Sequence, residues 1–178
     1  MIMILKKTYI NCPYVVSKFE AHESIKEKLL ELIDTQNSNS VVTIEENIST
    51  TDWNVDIGKN REYWNFLYPY LKPHIDCVYD SLDIIKRDFN NCWYQQYSKN
   101  NYHDWHDHGT SWSNVYYLEL PNNELRTQVI SPVDGTIFCP EVYEGYILSM
   151  PGILKHRSPP NMSEDRKTII AFNIEVVI

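Results

Sequence analysis

From Asn91 to the C-terminus, short apolar and β-branched runs alternate with Asn, Gly and Pro, a punctuation that admits strands and excludes long helices. The runs fall at residues 92–97, 113–120, 126–130, 136–139, 145–150 and 167–177. Many short strands joined by turn residues form an antiparallel barrel or sandwich, because each strand has a face to bury and edges to pair. Before Asn91 the period changes. Residues 24–34 set Ile25, Leu29, Leu32 and Ile33 along one side of a helix, and Ser24 with Glu27 fits a capping box. Spacing between residues 62 and 82 is again helical, but Pro69 and Pro73 predict two pieces, the second over 75–82. A first strand is expected at 8–10, a β-branched strand at 41–44, and a polar connection at 49–53. The expected fold class is therefore α+β, mainly β. A helical support region over 1–90 packs on a β core over 91–178, within a single domain of 178 residues.

Composition narrows the function. With 43% hydrophobic and 22% charged residues the chain reads as a globular protein, and a net charge of −8 with scattered Lys and Arg argues against nucleic acid as partner. Cys12, Cys77, Cys92 and Cys139 form no CxxC pair, so reduced thiols are expected, with Cys92 and Cys139 as small buried hydrophobes. The apolar start, Met1 to Leu5, is too short for a signal peptide or a membrane span. A cytoplasmic protein with no membrane partner is the expectation.

The chemistry-bearing stretch is Tyr102-His103-Asp104-Trp105-His106-Asp107-His108, which holds three of the six histidines. In an extended segment Asp104, His106 and His108 share one face, while His103, Trp105 and Asp107 share the other. Two histidines at i and i+2 can reach one metal ion; a solvated polar turn is the plain alternative. His103, on the opposite face, reads as a polar rim residue. Further along, a strand ends at Met150-Pro151, His156 follows, and Arg166 opens the last strand.

Trp105-His106-Asp107-His108 with Val115-Tyr116-Tyr117-Leu118, then Pro151 and His156, then Arg166-Lys167-Thr168-Ile169-Ile170-Ala171-Phe172-Asn173, resemble the 2-oxoglutarate- and Fe(II)-dependent oxygenase superfamily. Within it the likeness is to compact phage and bacterial proteins similar to prolyl hydroxylases, over about residues 92–175. The resemblance implies a double-stranded β-helix, or jelly roll, that holds Fe(II) at one open end through His-x-Asp/Glu and a distal His. Here His108 stands at the carboxylate position. Two ligand sets follow: His106, His108 and His156, favoured by the spacing to Val115-Tyr116-Tyr117, or Asp104, His106 and His156.

The resemblance further assigns Arg166 to the distal carboxylate of 2-oxoglutarate, where a guanidinium fork orients the diacid, with Thr168 as a second donor. Tyr94 and Tyr117 are candidates for a hydroxyl contact to the cosubstrate, and Asn173 is expected to complete backbone hydrogen bonds at the sheet edge. The implied activity is a dioxygenase that hydroxylates a C–H bond of a protein side chain or small molecule, using molecular oxygen and releasing succinate and CO2. The rival readings are a cupin-like three-histidine metalloprotein, either a thiol dioxygenase or an isomerase, and a non-catalytic binding domain on the same barrel.

Overall fold

Residues 167–176 decide where the rest of the chain must go. They are buried on both faces, with Ile170, Phe172 and Ile174 in one apolar cluster and Ile169 in another, so this strand runs through the middle of the molecule. The computed structural model describes residues 12–53, 55 and 60–177; the strand expected at 8–10 lies outside them. The described elements are β1 (Val15–Lys18), α1 (His22–Asp34), β2 (Asn39–Val42), β3 (Glu46–Thr51), α2 (Glu62–Asp80), β4 (Arg87–Tyr97), β5 (Tyr102–His106), β6 (Trp112–Glu119), β7 (Gln128–Ile130), β8 (Ile137–Phe138), β9 (Tyr146–Pro151), β10 (His156–Ser158) and β11 (Lys167–Val176).

All pairings are antiparallel, in the order β1-β9-β6-β11-β4-β3-β5-β10-β7-β8, with β2 hydrogen-bonded to β3. Strand β3 is the fold line. Its C-terminal end pairs with β4 through Thr50↔Gln96, and its N-terminal end with β5 through Glu46↔His103. The sheet thus curls over, so that β5 and β10 face β4, β11 and β6 across a narrow interior. This is the mainly β, curled architecture expected from residues 91 onward.

The helices cover the outer side of β9, β6, β11 and β4. Helix α1 buries Ile25, Leu29 and Ile33 at four-residue spacing, and α2 buries Tyr63, Leu67, Leu71, Ile75 and Tyr79 in the same way. These side chains meet Tyr94, Tyr116, Ile170 and Phe172 in one cluster. Each fully buried Leu or Ile contributes about 1.5–3 kcal/mol, so the stripe on α2 outweighs its two prolines.

Several expectations need correction. Helix α2 is continuous through Pro69 and Pro73. Both prolines and Asn65 are exposed, so the carbonyls deprived of a partner, those of Asn65 and Pro69, face water while the opposite stripe stays packed. Helix α1 begins two residues early and has no capping box: Ser24 Oγ donates to the carbonyl of Ala21, the residue at the N-cap. Residues 49–51 belong to β3 rather than to a polar connection, because Ile48 and Thr51 are buried and Thr51 Oγ1 donates to the Tyr94 carbonyl at 2.7 Å. Cys92 is buried as expected, whereas Cys139 is exposed.

Past β3, Asp52 takes over from the strand. Its fully buried carboxylate accepts from Tyr94 N at 2.9 Å, Tyr63 Oη at 2.8 Å and Arg61 Nε at 2.6 Å. One side chain thereby joins β4 to the start of α2. Among the described residues, no helix is long and apolar enough to cross a membrane.

The contrast along α2 can be measured by urea denaturation. Leu71→Ala, at a site with no exposure, is expected to cost about 2–5 kcal/mol. Pro73→Ala, two residues away on the exposed face, should raise the midpoint by restoring a backbone donor.

Candidate metal centre

Cross-strand pairing brings the first two histidines together. His106 on β5 lies directly opposite His156 on β10, and their ring centroids are 4.4 Å apart. His108 comes from the loop after β5, where its backbone N–H donates to the Gly152 carbonyl at 2.8 Å. The ligand atoms of His106, His108 and His156 all lie within 4.8 Å of one another.

Backbone carbonyls fix the tautomers of two of these rings. His106 Nδ1 is 2.7 Å from the Asp104 carbonyl oxygen, and His156 Nδ1 is 2.8 Å from that of Leu154. A carbonyl can only accept, so each Nδ1 carries the proton and each Nε2 lone pair is free. Burial keeps the imidazoles neutral: it lowers the His108 pKa to about 4, and pushes His106 and His156 down as well, with neighbouring histidines adding to the effect at His108 and His156. Three neutral, converging imidazoles fit a divalent transition metal.

Asp104, the alternative ligand, is not in this group. Its side chain is 46% exposed, accepts from Trp105 N at 2.8 Å and lies 3.9 Å from Arg157 Nη1. His103 departs from the expected alternation in the other direction. It is buried, its ring stacks on His106 at 3.7 Å and 9°, and it lines the cavity with the three histidines. The cause is a bulge: His156↔His106 and Ser158↔His103 leave an extra residue on β5, so positions three apart share a face. Glu46 Oε1, 3.3 Å from His103 Nε2, and Gln95 Nε2, 3.4 Å from Nδ1, hold that ring.

The expected anchor of the diacid is also displaced. Arg166 points outward, with Nε 2.9 Å and Nη2 3.1 Å from the Glu119 carboxylate and Nη1 3.6 Å from Asp34 on α1. Thr168 Oγ1 donates to the same Glu119, and Tyr94 sits in the helix-side cluster. None of the three lines the cavity.

Lys167, between Arg166 and Thr168, faces inward instead. It is 1% exposed, and its ammonium donates to the Leu125 carbonyl at 2.7 Å and to Ser158 Oγ at 2.8 Å. The rings of Tyr97 and Tyr117 lie 5.2 and 5.9 Å from Nζ. Burial without a compensating carboxylate pulls its pKa down from 10.5 to about 7. Of the two tyrosine candidates, Tyr117 is thus the one near this end of the cavity, its hydroxyl donating to Thr127 Oγ1 at 2.6 Å. Lys167 could have been found from the sequence only by fixing the strand's parity.

No protein-family model and no curated protein sequence matches the chain. Solved structures do. A prolyl-4-hydroxylase from Pseudomonas putida is similar over 93% of this chain and 94% of its own, at 13% identity and a TM-score of 0.70. The viral collagen prolyl hydroxylase of Paramecium Bursaria Chlorella virus-1, in its 2-oxoglutarate complex, matches over 92% and 96% at 14% identity and TM-score 0.59. HygX from Streptomyces hygroscopicus, with nickel and 2-oxoglutarate bound, matches over 94% and 84% at 10% identity and TM-score 0.65. At these identities the likeness is one of fold, and it agrees with the expected jelly roll.

Gly152 sets the position of His108, because a Cβ on it would lie 2.1 Å from the Thr110 carbonyl oxygen. Gly152→Ala should displace the loop and weaken Co(II) binding by tenfold or more, on the order of 1.4 kcal/mol, while far-UV circular dichroism stays unchanged. A metal titration of the two proteins checks this.

Proposed function

We propose that the chain is a 2-oxoglutarate- and Fe(II)-dependent dioxygenase that hydroxylates a C–H bond of a protein side chain or small molecule. One observation carries the reading: three converging histidine nitrogens line a cavity whose Ser158 accepts from the buried Lys167 ammonium, which no carboxylate of the described residues neutralises. Burial disfavours the Lys167 cation, and an incoming carboxylate would favour it again. Cupin-like and binding-only readings leave this buried cation without a countercharge. The shared fold with proteins that hold 2-oxoglutarate supports the same choice.

In this reading His106, His108 and His156 hold the iron. Bound Fe(II) supplies the activation of oxygen that couples decarboxylation of 2-oxoglutarate to attack on the substrate. The chain's own residues do the rest. Carbonyls of Asp104 and Leu154 orient two ligand rings, and His103 backs the His106 ring with its stacked face. Lys167 receives the distal carboxylate, with Ser158, Thr127 and the Tyr117 hydroxyl as neighbouring polar groups. The cavity measures about 30 Å³, so the diacid must displace side chains along its wall as it binds. Ile169, Ala171 and Val115 keep the remaining wall apolar and exclude water from the reacting centre.

Incubation with Fe(II), ascorbate and 2-oxoglutarate should yield succinate even without substrate; absence of both succinate and metal binding would sink the assignment. Lys167→Met is expected to lower 2-oxoglutarate affinity by at least about 100-fold, close to 3 kcal/mol, while Arg166→Met leaves it within a few-fold. The reverse ranking would restore Arg166 as the anchor.

The ammonium also predicts a pH dependence. A lysine with a depressed pKa loses its proton as pH rises through about 7, and a bound carboxylate keeps it charged. Binding above pH 7 therefore takes up a proton, and affinity falls by about tenfold per pH unit until the pKa of the complex is reached. Calorimetry at pH 8 in two buffers of different ionisation enthalpy reads the uptake directly.

A further inference from the structure

Six buried side-chain polar atoms lack a hydrogen-bond partner among the described residues: His22 Nε2, Trp93 Nε1, Tyr94 Oη, Gln96 Nε2, Ser149 Oγ and Asn173 Oδ1. Four of these side chains are not on the face that carries the cavity. His22 is on α1, Tyr94 and Gln96 share the outer parity of β4, and Ser149 pairs with Asn114, which lies between the inward Ser113 and Val115. The other two differ. Trp93 lines the histidine cavity, and Asn173 continues the inward row of Ile169 and Ala171 on β11.

These two residues are on neighbouring strands, and Trp93 is beside the metal centre. Trp93 is paired with Ala171 and Asn91 with Asn173, so Trp93 and Asn173 are diagonal neighbours on adjacent strands, about 7–8 Å apart. The Trp93 ring stacks on His108 at 5.9 Å and 26°. It is also the wall between the histidine cavity and a groove of about 260 Å³ that includes Trp53, Trp64, Phe89 and Asn91. Exposure is 7% at Trp93 and 3% at Asn173, so a donor and an acceptor are both withdrawn from water with nothing to bond. An unmade bond on a buried polar atom is costly, and a ligand bonding both atoms would recover that cost.

We propose that Trp93 and Asn173 form a subsite for an amide group of the substrate, whose carbonyl accepts from Trp93 Nε1 and whose N–H donates to Asn173 Oδ1. The chemistry excludes the simpler alternatives. A carboxylate has no donor for Asn173, an ammonium has no acceptor for Trp93, and either would be buried as an uncompensated charge. A hydroxyl carries its donor and acceptor on one atom, while the two orphaned atoms lie on different strands. The amide separates them and is neutral. The inference rests on the dioxygenase reading only in calling this ligand the substrate.

The five tryptophans give five indole N–H signals in a proton–nitrogen spectrum of the labelled full chain, and Trp93→Phe identifies the one from Trp93. Titration with acetamide and with N-methylacetamide should move that signal saturably. N,N-dimethylacetamide, which keeps the carbonyl but has no N–H, should bind at least fivefold more weakly. The tighter of the first two separates a primary carboxamide from a peptide-type secondary amide. Asn173→Leu should weaken the response to N-methylacetamide at least fivefold and Asn173→Asp, which keeps an acceptor, should retain it, with the other four indole signals reporting that each variant is folded. No saturable shift, equal response to N,N-dimethylacetamide, or an unchanged response in folded Asn173→Leu overturns the proposal and leaves both atoms to water. Co(II) binding with a 2-oxoglutarate-dependent change in visible absorbance, measured on the unaltered chain, tests the dioxygenase reading separately.

Discussion

The two-residue period of β11 is the constraint on which the site depends. Because successive side chains of a strand leave on opposite faces, Lys167, Ile169, Ala171 and Asn173 enter the barrel while Arg166, Thr168, Ile170 and Phe172 leave it. A slip by one residue would put a guanidinium and a hydroxyl inside and an ammonium against the helices. The register is fixed from both sides, by β4 through Ala171↔Trp93 and by β6 through Ala171↔Val115. Arg166 outside is not idle, since its pairing with Glu119 and Asp34 ties α1 to the sheet.

That same strand explains where sequence reading stopped. Six strands from residue 91 onward were legible because turn residues bracket them, though β5 and β10 were not among them, and α1 was legible because its apolar spacing is regular. The histidines at 106, 108 and 156 were legible from their clustering and from family likeness. The parity of β11 was not, because both of its faces are buried and no polar alternation marks which is which. The bulge that turns His103 inward has no residue signature either; it arises from pairing with β10, a strand of three residues that the sequence did not announce. Pro69 and Pro73 misled for the opposite reason: a strong local signal was overridden by a five-residue apolar stripe on the far side of the helix.

On the proposed reading the pocket is short of negative charge. Three neutral imidazoles replace the usual pair with a carboxylate, and the buried Lys167 adds a cation at the far end. A metal ion raises the positive potential further, so a dianionic cosubstrate is matched by the whole cavity and not by one contact. The stacked His103 and the carbonyl-bonded His106 and His156 arrive already oriented, which reduces the ordering cost of metal binding.

Asp52 has a consequence for how the molecule behaves in company. Where β3 leaves the sheet, the backbone of β4 would present an open edge at Tyr94, the kind of template on which strands from other molecules add. The Asp52 carboxylate occupies that donor, and the adjacent Thr51 hydroxyl occupies the Tyr94 carbonyl. A pair of side chains thus finishes the sheet at this point, and a buried charge turns a potential site of association between copies into a closed seam.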